Sequence, residues 1–187
     1  MIEIKKLAKD RLRPDEISTM SWLKSSSDVC CPLKDFIECD ESSRLEYRTK
    51  SEFTIGLSCL EKLPTVGFNI SDHKKQFHSI ELTETPEEIM TIPRESFAVA
   101  KLTQTIIRSL SWPVFDRATQ KGFWRFLVVR LSKNTGELVI NLVGNKDYFE
   151  SHDKFKEEFQ SHFIDKLVQS ITVSPEFKNT SVKSITF

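Results

Sequence analysis

Between residues 47 and 55 the chain alternates strictly. Tyr47, Thr49, Ser51, Phe53 and Ile55 fall on one side, and Arg48, Lys50, Glu52 and Thr54 on the other. A period of two sends the two sets to opposite faces of a strand, which predicts a half-buried strand with a charged outer face. Residues 65–69 predict a second strand after a turn at Lys62-Leu63-Pro64, and 79–82 a third. Pro93 opens a helix over Arg94–Ser109, where Val99, Leu102, Ile106 and Leu110 recur at helical spacing. The clearest hairpin follows: 123–131 and 137–143 are strand-like and joined by Ser132-Lys133-Asn134-Thr135-Gly136, a short turn ending in glycine. Asp147-x-x-Glu150 predicts a capped helix running to Val168, with Phe155, Phe159, Phe163 and Leu167 as an i, i+4 apolar stripe. Residues 171–173 and 182–187 predict two further strands.

Ahead of these elements, Ile4, Leu7 and Leu12, then Ile17, Met20 and Leu23, predict two short helices separated at Pro14. Residues 24–43 are polar, contain Pro32 and predict a loop with an acidic excess at Asp35, Glu38, Asp40 and Glu41. The expected organisation is an N-terminal helical segment and acidic loop over 1–44, then an α+β domain over 45–187. In that domain an antiparallel sheet packs with helices in β-β-α-like units. The final residues, 181–187, form a strand pattern with no closing turn or polar tail, as expected of a piece of a longer protein.

Composition narrows the chemistry. Among 187 residues, 39% are hydrophobic and 29% charged, the balance of a folded globular chain and not of a disordered one. Lys plus Arg equals Asp plus Glu at 27 each, so only local clustering of charge can argue for a polyanionic partner. The five glycines form neither G-x-G-x-x-G nor a P-loop, which excludes a nucleotide or Gly-rich S-adenosylmethionine cradle built from them. No apolar run is long enough to span a membrane and the N-terminus carries acids where a signal would be apolar, so the expected location is cytoplasmic or nuclear. Cys30, Cys31, Cys39 and Cys59 show no C-x-x-C spacing, and the four histidines lack helical metal spacing, so no metal is expected. No catalytic residue is assigned: Gly56-Leu57-Ser58-Cys59 is not a nucleophile elbow, and Cys31-Pro32 lies in an acidic loop with nothing to lower the thiol pKa.

One local feature points to a partner. Residues 117–133 hold Arg117, Lys121, Arg125, Arg130 and Lys133 with no acid, and Phe123, Trp124 and Phe126 are interleaved among them. A hairpin of cations and rings presents guanidinium groups to phosphates while the rings stack on bases or pack beneath. The alternative is a solvated strand face with its rings turned into the core. Arg48 and Lys50 on the first strand add a second, smaller basic feature. Arg48, Lys50, Arg125, Arg130 and Lys133 are the candidate RNA-binding residues.

These two basic segments coincide with a family pattern. Tyr47-Arg48-Thr49-Lys50-Ser51-Glu52-Phe53 resembles the Y-R-x-[KR]-x-E-F segment of the RNA uracil-5-methyltransferase (TrmA-like) family, most closely its eukaryotic tRNA branch. In the family's order there are also Cys30-Cys31-Pro32-Leu33, Thr65-Val66-Gly67-Phe68, Ile92-Pro93, and Gly122-Phe123-Trp124 leading into Leu127-Val128-Val129-Arg130. The resemblance implies the family's central RNA-contacting domain. The S-adenosylmethionine domain, whose cysteine adds to the uracil ring and whose glutamate acts as base, would lie beyond Phe187. It implies tRNA as partner, 5-methyluridine in the T-loop as product, a separate catalytic domain or chain, and inactivity of this chain alone. S-adenosylmethionine belongs to the full-length family and no cofactor is expected in this chain. Two rivals remain open: a free-standing RNA-binding or protein-interaction domain without activity, and a ferredoxin-like binder of single-stranded RNA whose sheet aromatics stack on bases.

Overall fold

The alternation at 51–55 becomes the middle of a six-stranded sheet in a computed structural model that describes residues 2–20, 23, 35–58, 61–71, 78–81, 90–151 and 155–187. The chain divides into two units, Met1–Cys39 and Asp40–Phe187. The first holds two short helices, α1 (Ile2–Arg11) and α2 (Pro14–Thr19). Pro14 sits at the first position of α2 and Asp15 and Glu16 in its first turn, where a fixed φ and negative charge both favour a helix start. Glu16 closes that end by accepting the Arg13 backbone N–H at 2.9 Å.

The second unit carries β1 (Lys50–Leu57), β2 (Pro64–Ser71), β3 (His78–Glu81), α3 (Arg94–Ser109), β4 (Trp124–Ser132), β5 (Glu137–Gly144), α4 (Lys146–Glu150), α5 (Phe155–Phe159), α6 (Asp165–Val173) and β6 (Ser181–Thr186). Strand order is β3-β2-β1-β4-β5-β6. One face is dry. Ser51, Phe53 and Ile55 of β1, Leu127, Val129 and Leu131 of β4, and Leu138, Ile140 and Leu142 of β5 are all buried. They form one core with Val99, Ala100, Ile106 and Ile107 of α3 and with Phe155, Phe159, Phe163, Leu167 and Ile171 from the last helices.

The fold is α+β, as the pattern predicts, but the sheet is mixed. The β5–β6 pair is parallel, because a long helical connection brings the chain back in the same direction, which a tight turn cannot do. Residues 171–173 are a second correction: they end α6 and are not a strand. Their β-branched side chains favour a strand locally, yet Ile171 continues the i, i+4 stripe and its burial decides the outcome. Such a stripe drifts about 40° per step around an ideal helix. A π-helical turn at Gln160–Ile164, with its wider winding, brings the later positions back to the core side. Third, the cap of α4 is Asn145, whose side chain accepts the Asp147 N–H at 3.2 Å, not Asp147 itself.

The hairpin turn is as read: Gly136 has φ 67° and donates its N–H to Ser132 at 2.8 Å. At the head of β4, Gly122 has φ 98°, and a β-carbon there would stand 2.1 Å from the Val114 carbonyl oxygen. Gly122→Ala is therefore expected to cost about 2–4 kcal/mol, through backbone strain and overlap with main chain that cannot rotate away. Urea unfolding checks this, and a loss below about 0.5 kcal/mol, the range of neutral surface changes, would show that the turn yields freely.

Candidate nucleic-acid interface

The other face of the sheet carries no buried side chain across its three central strands. Cross-strand pairing sets three rows there: Lys50–Arg130–Val139, Glu52–Val128–Asn141 and Thr54–Phe126–Val143. All nine are half-buried or exposed. Neighbours within a row are about 5 Å apart at Cα, and rows are about 6.5 Å apart. The middle of the face thus carries Glu52 beside Val128 and Asn141, the next row is apolar apart from Thr54, and one edge is the Lys50–Arg130 pair. Lys50 contacts Glu52 directly, and its hydrogen bond and charge hold the Glu52 carboxyl below its ordinary range, with Arg130 adding to the effect.

Arg125 marks the opposite end. The register of β4 shifts between Trp124 and Phe126, so a bulge breaks the alternation and turns Trp124 into the core, 1% exposed, while Phe126 stays on the open face. The Arg125 guanidinium lies 4.5 Å from the centre of the Phe115 ring and 5.7 Å from that of Phe126. Among the described residues its buried Nε has no acceptor, and the rings hold it in place.

The sequence-derived candidates therefore fall in three places. Lys50 and Arg130 are nearest cross-strand neighbours. Arg125 shares their face at a distance of about 13–16 Å along β4. Arg48 and Lys133 lie off the sheet face. Arg48 precedes β1, its N–H bonded to the Thr91 carbonyl at 3.1 Å, and Lys133 sits in the hairpin turn 3.7 Å from the Glu46 carboxylate. The two-residue step from Arg48 to Lys50 along one strand is thus not realised, and Tyr47 and Thr49 are exposed, not part of the dry face. Phe123 and Trp124 are core residues and offer no stacking platform. The motif residues Cys30, Cys31, Pro32 and Leu33, with Cys59, His73, Leu82 and His152, lie outside the described residues; Cys39 is exposed.

Sequence reading missed two participants: Phe115 beneath Arg125, and Arg94, which with Lys133 meets Glu46. Each is distant in sequence from its partner, and no local pattern signals the pairing.

A nucleotide-type cofactor does not fit the strand-to-helix turn described here. At the β5–α4 junction, Gly144 lies under Phe123 and Phe187, whose ring carbons stand 2.5 and 2.8 Å from where its β-carbon would be. That glycine makes room for packing, not for a phosphate. Among the described residues no group of His, Cys, Asp and Glu could hold a metal ion, and no helix is long and apolar enough to cross a membrane. A groove of about 590 Å³ beside edge strand β6, lined by apolar residues such as Ile164, Phe177 and Ile185 and by the polar Thr172, Thr180 and Lys183, is about equally polar and apolar and contains none of the candidate cations.

No family model matches the chain. It is 30% identical over 138 residues to "Zinc finger CCCH domain-containing protein 24" of Arabidopsis thaliana, an alignment of 71% of this chain and 16% of that protein. It is 28% identical over 141 residues to "tRNA (uracil-5-)-methyltransferase homolog A" of Mus musculus, 73% of this chain and 22% of the relative. An uncharacterized RNA methyltransferase of Caldanaerobacter subterraneus is 30% identical over 116 residues, 62% of this chain and 24% of the relative. The chain thus spans less than a quarter of the length of these relatives. The human homolog A and two further RNA methyltransferases, of Nostoc and Clostridium tetani, align over 68–74% of its length, so the chain is similar to one segment of RNA methyltransferases, tRNA (uracil-5-)-methyltransferases among them.

Proposed function

We propose that this chain is the RNA-positioning domain of a tRNA uracil-5-methyltransferase of the eukaryotic type, working in the cytoplasm or nucleus on a T-loop uridine. The observation that carries the reading is the open sheet face, with Lys50 and Arg130 paired at one edge and Arg125 held on aromatic rings at the other. Cations on a rigid sheet fix the register of a phosphate backbone without reading its sequence. The half-buried Phe126 and Val128 between them, with Val139 beside Arg130, give ribose and base edges an apolar surface. Methyl transfer then belongs to parts of the protein outside this chain, which supply S-adenosylmethionine, the nucleophile and the base.

Two measurements test the reading. Titration of unmodified tRNA with the 187-residue chain across 50–200 mM salt is expected to show saturable binding. The log–log slope should be about −2 to −3, the value for three to four phosphate contacts. Calorimetry with S-adenosylmethionine is expected to show no binding, since no Gly-rich turn receives it. Absence of tRNA binding at the lowest salt would remove RNA positioning as the function, and micromolar affinity for the cofactor would overturn the division of labour.

A further inference from the structure

Glu46 holds a backbone conformation that its packing does not explain. Its φ is 51°, in the left-handed region where a residue with a β-carbon is strained. Two main-chain bonds fix the segment: Glu46 N–H to the Met90 carbonyl at 2.6 Å, and Arg48 N–H to Thr91 at 3.1 Å. The result aims the Glu46 carboxylate between two cations from remote parts of the fold. One oxygen accepts the Arg94 Nε–H at 3.0 Å, at the start of α3, and the other lies 3.7 Å from the Lys133 ammonium in the hairpin turn. The side chains of Arg94 and Lys133 are 74% and 43% exposed. Ion pairs this wet add little to stability, so they do not account for a strained glutamate.

What the arrangement builds is a seat for an anion. A carboxylate and a phosphodiester share the relevant feature, two oxygens carrying one negative charge, and a guanidinium with an ammonium suits either. The seat adjoins the open face: Leu131 N–H bonds Thr49 O at 2.9 Å, which ties the end of β4 beside Arg130 to the segment that carries Glu46.

We propose that Arg94 and Lys133 form a phosphate subsite for RNA and that Glu46 is its tethered occupant, displaced when a backbone phosphate arrives. This rests on the reading of the open face as an RNA surface. The tethered carboxylate competes at high effective concentration, so an RNA that reaches only this subsite is turned away. An RNA already held by Lys50, Arg130 and Arg125 presents its next phosphate at a comparable effective concentration and wins the seat.

The test uses the whole chain and two variants, Glu46→Gln and Glu46→Gly. Both remove the charge, and glycine also accepts the left-handed φ, so a folded variant is secured. Each is titrated with unmodified tRNA and with a short oligouridine over the salt series. Both variants are expected to bind about three- to tenfold more tightly at low salt, with the log–log slope steeper by about 0.7–0.9 for oligouridine, which gains the contact, and unchanged for tRNA, which already makes it. Oligouridine should gain more than tRNA. Adding Arg94→Ala to Glu46→Gln should return affinity to the wild-type level. Wild-type binding with unchanged or weaker affinity in both folded variants overturns the subsite and leaves the RNA reading standing. No RNA binding by the wild type or either variant overturns both.

Discussion

Phe123→Ala is expected to lower the stability of the 40–187 unit by about 3–5 kcal/mol, the range for deleting a large buried ring. Phe123 is fully buried and is a hub: its ring centre lies 4.6 Å from Phe155, 4.7 Å from Trp124, 5.4 Å from Phe187 and 5.8 Å from Phe159. Those partners come from β4, the last helices and the residue after β6, so the cavity would open where three parts of the fold meet and could not collapse around one of them. The edge-to-face geometry at Phe155, with planes at 66°, adds about 0.5–1.5 kcal/mol beyond area. With total stabilities of about 5–15 kcal/mol for a domain, the variant should melt about 6–20 °C lower. Phe126→Ala, three residues on and half-buried on the opposite face, should lose about 1–2 kcal/mol at most. Equal losses in the two variants would show that the bulge at Trp124–Phe126 does not divide the rings as described.

That bulge also marks where sequence reading stops. Periods of two and 3.6 expose what is repeated: Ser51, Phe53 and Ile55 announce β1, and the phenylalanine ladder from 155 to 163 announces the last helices. The glycine at 136 announces the hairpin. A single inserted residue changes the parity of a strand without altering its composition, so Trp124 and Phe126, two apart and both aromatic, look equivalent in sequence and face opposite ways. The strand beginning failed for a related reason. Tyr47 and Thr49 continue the alternation, but the positive φ of Glu46 and its bond to Met90, 44 residues away, redirect the chain there, and the regular strand begins only at Lys50. At 171–173 a short β-branched run competes with a helix stripe, and burial of Ile171 decides between them. The basic character of 117–133 was legible, and so was the family resemblance. Which of those cations share a surface was not, because Lys50 and Arg130 meet only through strand pairing, and Glu46, Arg94 and Lys133 meet only through the fold.

Arg130→Ala and Arg125→Ala should each weaken tRNA binding about three- to tenfold at low salt, and each should flatten the log–log salt dependence by about 0.7–0.9, one phosphate contact apiece. The two should act independently. About 13–16 Å of strand separates them, and groups farther apart than about 10 Å without shared partners add, so the double variant should lose about 10- to 100-fold. Loss should be alike for tRNAs of different sequence, because phosphate contacts position and do not specify. The two arginines differ in how they are held. Arg130 is exposed on the sheet face beside Lys50, where a lysine would serve nearly as well, so Arg130→Lys should restore both affinity and slope. Arg125 lies over the Phe115 ring, and a lysine keeps the charge but loses the guanidinium's planar contact area. Arg125→Lys should therefore restore the salt slope while recovering only part of the affinity. That split distinguishes a preorganised guanidinium from mere surface charge. Unchanged affinity and slope in both alanine variants, with unaltered melting temperatures, would reduce the open face to ordinary solvated surface and leave RNA binding to be sought elsewhere on the protein.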